Sequence, residues 1–250
     1  MLSSRVNQER KSESGNVLFL ILIAVALFAA LSYAVTQSTR SGGGDASRET
    51  TLVNAASITQ YPASVKTAIT RMVVSNSINP DDLLFDPPST FSSLTGASVE
   101  NQGVFYPASA TGGGGGATYT ESPANVMANV APGTWHFNAE NEIKDIGITI
   151  GGGAPDATSA DVIAFLPGVS QSVCQSIHAK LGLSTTIPAI AGDIEYTLDM
   201  DYALWSGNSN SGILTGGTGG TITHATLDAQ PQGCFLDGTT YVYYHVLVER

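Results

Sequence analysis

The side chains best able to do chemistry in this chain are two cysteines, four histidines, scattered aspartates and a tyrosine cluster near the end. Cys174 and Cys234 lie sixty residues apart and belong to no Cys-x-x-Cys or Cys/His cluster. That spacing gives no basis for a zinc or thioredoxin-like reading. The thiols either pair with each other or stay as two separate buried groups. His136 sits between Trp135 and Phe137 and reads as the outward residue of a strand. His178 reads as lying on the polar side of a helix, and His224 and His245 alternate with apolar neighbours. None has the companions of a nucleophile or a metal site. There is no Gly-x-Ser-x-Gly, no His-Glu-x-x-His and no phosphate loop; the expectation is no catalytic residue, no cofactor and no metal. Asp81, Asp82 and Asp86 occupy a turn-rich stretch, and Asp199 and Asp201 alternate along an expected strand. Carboxylates on loops hold calcium, but this spacing matches no calcium loop, and solvated turns are the expectation. Tyr241 and Tyr243 share one strand face and Tyr244 takes the other. Cross-strand packing is the first reading for them, and a carbohydrate platform is the alternative.

The elements that must position these groups are legible in part. Leu52, Ala55, Ile58, Val65, Ile69 and Met72 recur at helical steps and predict one amphipathic helix over 48–75, with a kink or split near Tyr61 caused by Pro62. Turn chemistry follows at Asn79-Pro80 and Asp86-Pro87-Pro88. Short strands are expected at 98–100, 103–106 and 117–120. Gly112 to Gly116 reads as a mobile loop tip. Residues 135–137 and 143–150 read as two strands with a turn at 138–141, closed by Gly151 to Gly153. A helix is expected from Asp161, broken by Pro167-Gly168. It resumes through Val169, Val173, Ile177 and Leu181 and is capped by Gly182. Strands follow at 194–204 and 221–227. The C-terminal Asp237-Gly238 between two β-rich runs predicts a hairpin over 233–248.

Val17 to Val35 is a run of nineteen residues without a charge. As a helix it spans roughly 28 Å, close to the hydrocarbon thickness of a bilayer. Arg5, Arg10 and Lys11 precede it and Arg40 and Arg48 follow, a modest bias toward a cytoplasmic N-terminus. Gly42 to Gly44 read as a hinge beyond it. Only 12% of residues are charged, the composition of an exported, loop-rich chain. The part after Thr36 carries seven basic and nineteen acidic residues, which argues against nucleic acid as a partner. In an oxidising compartment the two thiols are expected to pair. The bridge would close a loop worth roughly 4 kcal/mol in the chain-entropy description.

A polar, basic leader ending in Gly15, followed by Asn16 and the retained apolar run, resembles the class III leader of type IV pilins and pseudopilins. The resemblance covers about the first 40 residues. It implies cleavage after Gly15 on the cytoplasmic side, a mature chain starting at Asn16, and an apolar helix that packs with its neighbours in a filament. Two positions depart from the family pattern: Asn16 replaces the usual apolar first residue, and Leu20 replaces the glutamate of major subunits. That combination implies a minor, tip-type subunit. A disulfide enclosing the C-terminal part of the globular domain is also frequent in the family.

The expected fold is α+β: a transmembrane helix, an amphipathic helix, and a mainly antiparallel β-sheet ectodomain with one further helix. The segments are a leader or tail over 1–15, a membrane helix over 16–38, a glycine-rich hinge over 39–47 and one exported domain over 48–250. The expected function is a non-enzymatic structural subunit of a pilus- or pseudopilus-like assembly. It would sit in a bacterial inner membrane with a periplasmic or extracellular domain. Its partners would be the lipid bilayer, through Val17 to Val35, and other pilin-like subunits or envelope proteins. The alternative is a single-pass anchored binding module or adhesin.

Overall fold

The computed structural model describes residues 14–94, 97–108, 113–148, 155, 159–190, 192–200 and 219–250. The chain divides into two compact units, Met1–Glu49 and Thr50–Arg250. Helix α1, Ser14–Asn76, is 63 residues long and continues through Gly42 to Gly44 and through Pro62. Pro62 does not split the helix. Within the second unit α1 buries Ala55, Ile58, Val65, Ile69 and Met72, the stripe expected from their spacing, and Ala68 beside them. Leu52 is the exception: its side chain is exposed, and its carbonyl accepts a bond of 2.8 Å from Lys180 Nζ.

Behind that stripe lies a five-stranded sheet in the order β3-β1-β2-β5-β4, formed by β1 (His136–Ile143), β2 (Asp161–Pro167), β3 (Thr221–Ile222), β4 (Gln232–Asp237) and β5 (Thr240–Val248). Among the described residues the unit also holds two short α-helices, α2 (Ala97–Gln102) and α3 (Gln171–Leu181), and three 3-10 turns at Pro80–Asp82, Pro88–Ser93 and Ala124–Val126. The class is α+β. The sheet is mixed, where a mainly antiparallel one was expected, because β3 runs parallel to β1 at the edge while the other three pairings are antiparallel.

Both faces of the sheet are buried. Val162, Ala164, Leu166, Cys234 and Tyr243 point to the larger core with α1 and α3. Ile163, Phe165, Phe235, Val242 and Tyr244 point to a smaller one. This explains the misreading of 161–166 as helix. Asp-Val-Ile-Ala-Phe-Leu is a central strand covered on both sides, and such a strand is a continuous apolar run without alternation. The hairpin at 233–248 is as expected, with Gly238 and Thr239 as its two loop residues between the paired Asp237 and Thr240. Gly238 has φ of 55°, which glycine adopts without steric cost.

Other strand expectations change in the structure. Residues 138–141 are the middle of β1, not a turn. A register shift between Asn138 and Asn141 acts as a bulge and sends Ile143 to the smaller core while Phe137 and Ala139 face the larger one. The turn follows at Lys144–Asp145 instead. Residues 98–100 lie in α2, and 103–106 contribute only an isolated bridge from Gly103 to Leu84. Residues 117–120 and 194–200 form no strand, and 221–227 is strand only over Thr221–Ile222. Residues 201–204 and Gly151 to Gly153 lie outside the described residues.

The glycine run is also different from a loop tip. Gly114 and Gly115 are buried, and the amides of Gly115 and Gly116 donate to the carbonyls of Gly103 and Tyr106, both at 2.8 Å. Arg71 donates to the Gly115 carbonyl from its guanidinium. A Cβ on Gly115 would meet the Val104 carbonyl and lie 2.8 Å from Met72 Sδ. The glycines serve close approach of one backbone to another, not freedom. Gly112 lies outside the described residues.

Candidate functional site

The largest surface of unusual chemistry is the N-terminal part of α1. Val17–Gln37 has a mean hydropathy of 2.7 and none of its length is buried within the chain. Its apolar side chains are open to the surroundings, from Ile23 at 41% to Phe28 at 73% exposure. At 21 residues it is long and apolar enough to cross a membrane. Two of its polar side chains bond within the helix. Thr36 Oγ1 donates to the Ser32 carbonyl at 2.6 Å, and Gln37 Nε2 donates to Tyr33 Oη at 2.7 Å. Internal bonds of this kind are what a low-dielectric surrounding demands. Gly15 and Asn16 lie in the first turn of α1.

The cysteines meet where α3 packs on β4. The Sγ atoms of Cys174 and Cys234 are at bonding distance and the Cα atoms are 5.7 Å apart, within the span of a disulfide. His178, expected on the polar side of α3, is instead fully buried beside them. Its Nε2 accepts from the Cys234 amide at 2.9 Å. Its Nδ1 is 2.7 Å from the Ser184 carbonyl, so that nitrogen carries the proton in the neutral ring. His178 is a second, noncovalent tie across the same junction.

The remaining polar residues are distributed in structural roles. His136 Nδ1 is 3.1 Å from Asp199 Oδ2, and Asp199 Oδ1 accepts from the Phe137 amide at 2.8 Å. His224 Nδ1 accepts from the Thr226 amide at 3.1 Å. His245 is buried, 3.1 Å from Tyr243 Oη. Burial and the Lys66 charge hold its ring down to about 4. Asp81 pairs with the Arg250 guanidinium, Asp86 is buried, and Asp201 lies outside the described residues. No group of three or more His, Cys, Asp or Glu side chains assembles as a metal site among the described residues. Tyr243 and Tyr244 are fully buried, so the tyrosine cluster packs the two cores and offers no open platform.

Sequence reasoning missed the polar side chains inside the sheet. Asn138, Glu140, Asn141, Glu142 and Asp161 are all essentially inaccessible. Asn138 Nδ2 donates to the carbonyls of Glu195 and Leu198 at 3.2 and 3.1 Å. Asn141 Oδ1 accepts from the Glu195 and Gly220 amides at 3.1 and 3.2 Å. Thr221 Oγ1 donates to Glu142 Oε1 at 2.6 Å. Asp161 accepts from the amides of Ile143 and Arg250 at 3.0 and 3.1 Å. Burial pushes its carboxyl up to about 7 against those two amides, with Glu142 and Glu249 adding to the rise. Asn138 and Asn141 thus supply partners for backbone groups of Glu195, Leu198 and Gly220, which lie outside any strand. Five polar residues within the eight of β1 were the available signal, and their partners are too distant in sequence to be inferred from it.

Among the pockets of the second unit, one cleft of about 310 Å³ lies between α1 and residues 120–123. Tyr61 and Trp135 are among its lining residues, with ring centroids 5.2 Å apart and planes tilted by 51°, though Trp135 is buried. Trp135 is itself fixed edge-on against Tyr243. Ser122 is 2% exposed and its Oγ has no hydrogen-bond partner among the described residues.

Compared with protein-family models, curated proteins and solved structures, the chain has no match. Its function is therefore argued from the residues and geometry above.

Proposed function

We propose that this chain is a membrane-anchored structural subunit of a type IV pilus- or pseudopilus-like assembly, and a minor one. The observation that carries the reading is α1, a single helix whose Val17–Gln37 stretch is apolar and unburied and whose later turns enter the core of an α+β unit. The first stretch needs an apolar surrounding, which lipid supplies before assembly and neighbouring helices supply after it. Ala24, Ala26, Ala29, Ala30 and Ala34 permit the close helix–helix approach on which packing in lipid depends. Leu20 leaves the helix without a carboxylate to meet a neighbour's N-terminal amine, which suits a rarely incorporated or tip subunit. In this reading the N-terminal tail is cytoplasmic, the chain is cut after Gly15 and the large unit is exported from a bacterial inner membrane. Assembly, not catalysis, is its mechanism. A second reading, an anchored binding module or adhesin, draws on the cleft beside Trp135.

Two experiments test the proposal. Mass spectrometry of the mature N-terminus is expected to find Asn16; a start at Met1, or one beyond Val35, sinks the pilin-like reading. Replacing Val17–Val35 by polyleucine of equal length is expected to preserve insertion and abolish incorporation. If the swapped chain keeps its partners, the helix is only a tether and the second reading takes its place.

A further inference from the structure

The cleft between α1 and residues 120–123 holds unused hydrogen-bonding capacity. Ser122 is held there by its backbone, whose amide donates to the Gly133 carbonyl at 2.8 Å and whose carbonyl accepts in return at 3.0 Å. Its hydroxyl is nevertheless unpartnered and buried. A buried hydroxyl without a partner costs about 1–3 kcal/mol, and such groups call for an explanation. The Tyr61 hydroxyl lies near the Thr120 backbone without reaching hydrogen-bond geometry to any described residue. By contrast, the Ser57 hydroxyl already donates to the Asn54 carbonyl at 2.8 Å, and that of Thr120 to the Glu121 carbonyl at 3.2 Å. Both keep lone pairs that can accept. Glu121, exposed at the rim, offers acceptors and a negative charge.

We infer that this cleft binds a saccharide, taking one or two pyranose units against the half-buried ring of Tyr61 with Ser122 as the buried anchor. The donor and acceptor inventory selects the ligand. Ser57 and Thr120 direct their hydrogens to backbone carbonyls and the Glu121 carboxylate has none, so these three present acceptors to a ligand that donates. Ser122 and Tyr61 each hold a hydrogen with nowhere to go, so the ligand must also accept. An ammonium group only donates, and an anion only accepts and meets Glu121. Sugar hydroxyls do both, and the C–H face of a pyranose suits an aromatic wall. The volume is at the low end of ligand sites, which limits the occupant to a terminal or short unit of a glycan. The inference stands on the cleft alone and holds whether the chain is an assembly subunit or an anchored module.

The test uses the full chain in a polyoxyethylene-ether detergent, because glucoside and maltoside detergents would themselves compete. Glucose, galactose, mannose, N-acetylglucosamine and their common disaccharides are screened by saturation-transfer NMR and titrated calorimetrically. Choline chloride and triglycine serve as cationic and amide probes. At least one saccharide is expected to bind with a dissociation constant on the order of 1 mM, with transfer strongest at ring C–H protons. Ser122→Ala is expected to weaken it about tenfold. The melting temperature should not fall, because no bond within the protein is lost. Glu121→Gln, a surface change, should weaken binding to a smaller degree without altering the fold. Absence of binding by every saccharide, binding of choline or triglycine instead, or saccharide affinity unchanged in Ser122→Ala would each overturn the assignment.

Discussion

Replacing both Cys174 and Cys234 by alanine removes the covalent tie between α3 and β4 while leaving every backbone bond in place. The cysteines are separated by 60 residues, and closing a loop of that length in the unfolded chain is worth about 4 kcal/mol. The lost Sγ atoms are buried and leave a small void, which adds roughly 1 kcal/mol. A unit the size of Thr50–Arg250 has an unfolding entropy of roughly 0.4 kcal/mol/K. The melting temperature should therefore fall by about 10–12 °C. Near-ultraviolet circular dichroism is the suitable assay, because Trp135, Tyr243 and Tyr244 are buried and report tertiary packing. Chemical reduction of the unaltered chain should reproduce most of the shift, and alkaline extraction from membranes should be unaffected, since insertion depends on Val17–Gln37. A fall of under about 3 °C, with oxidised and reduced wild type melting together, would refute the reasoning. The thiols would then be separate buried groups, and the junction would rest on His178 and apolar packing.

Three further outcomes are expected. His178→Ala strands the Cys234 amide in the core and should cost about 1–3 kcal/mol in denaturant unfolding, even with the disulfide intact. Gly115→Ala drives a Cβ into Val104 and Met72 and should cost about 1–3 kcal/mol, whereas a mobile loop would tolerate it. The Asp161 carboxyl is raised from 3.8 to about 7 by burial. Its contribution is thus fully present below pH 3.8 and is lost as pH rises through about 7. Relative to Asp161→Asn, the wild type should lose on the order of 4 kcal/mol across that window; parallel pH profiles for the two proteins would contradict it.

The parts of the fold that were legible in the sequence are those governed by local rules. The α1 stripe from Ala55 to Met72 follows helical spacing. The break of α3 at Gly182 follows from a left-handed cap with φ of 72°, and the hairpin of β4 and β5 follows from its Asp-Gly. The illegible parts depend on distant partners. Nothing local distinguishes Asp161–Leu166 as a strand, because its lack of alternation comes from β1 and β5 on either side and cores above and below. Nothing local makes Asn138–Asn141 a strand, because its polar side chains are satisfied by residues 54 to 79 positions away. The cleft was illegible for the same reason. Ser57, Tyr61, Ser122 and Trp135 are brought together only by the packing of α1.

The clamp made by Asn138 and Asn141 has a consequence for how this surface can change over generations. Those two amides grip the main-chain groups of Glu195, Leu198 and Gly220, which every amino acid except proline supplies alike. The grip itself therefore makes no demand on the side chain of Leu198, whereas its neighbours stay constrained: the Glu195 carboxylate accepts from the Thr197 and Leu198 amides, and Tyr196 packs against Phe165 and Phe235 and donates to Asp237. The two asparagines bear the opposite burden. Asparagine carries both a donor and an acceptor on a short stem, so substitution at either position would unfasten several loop residues at once.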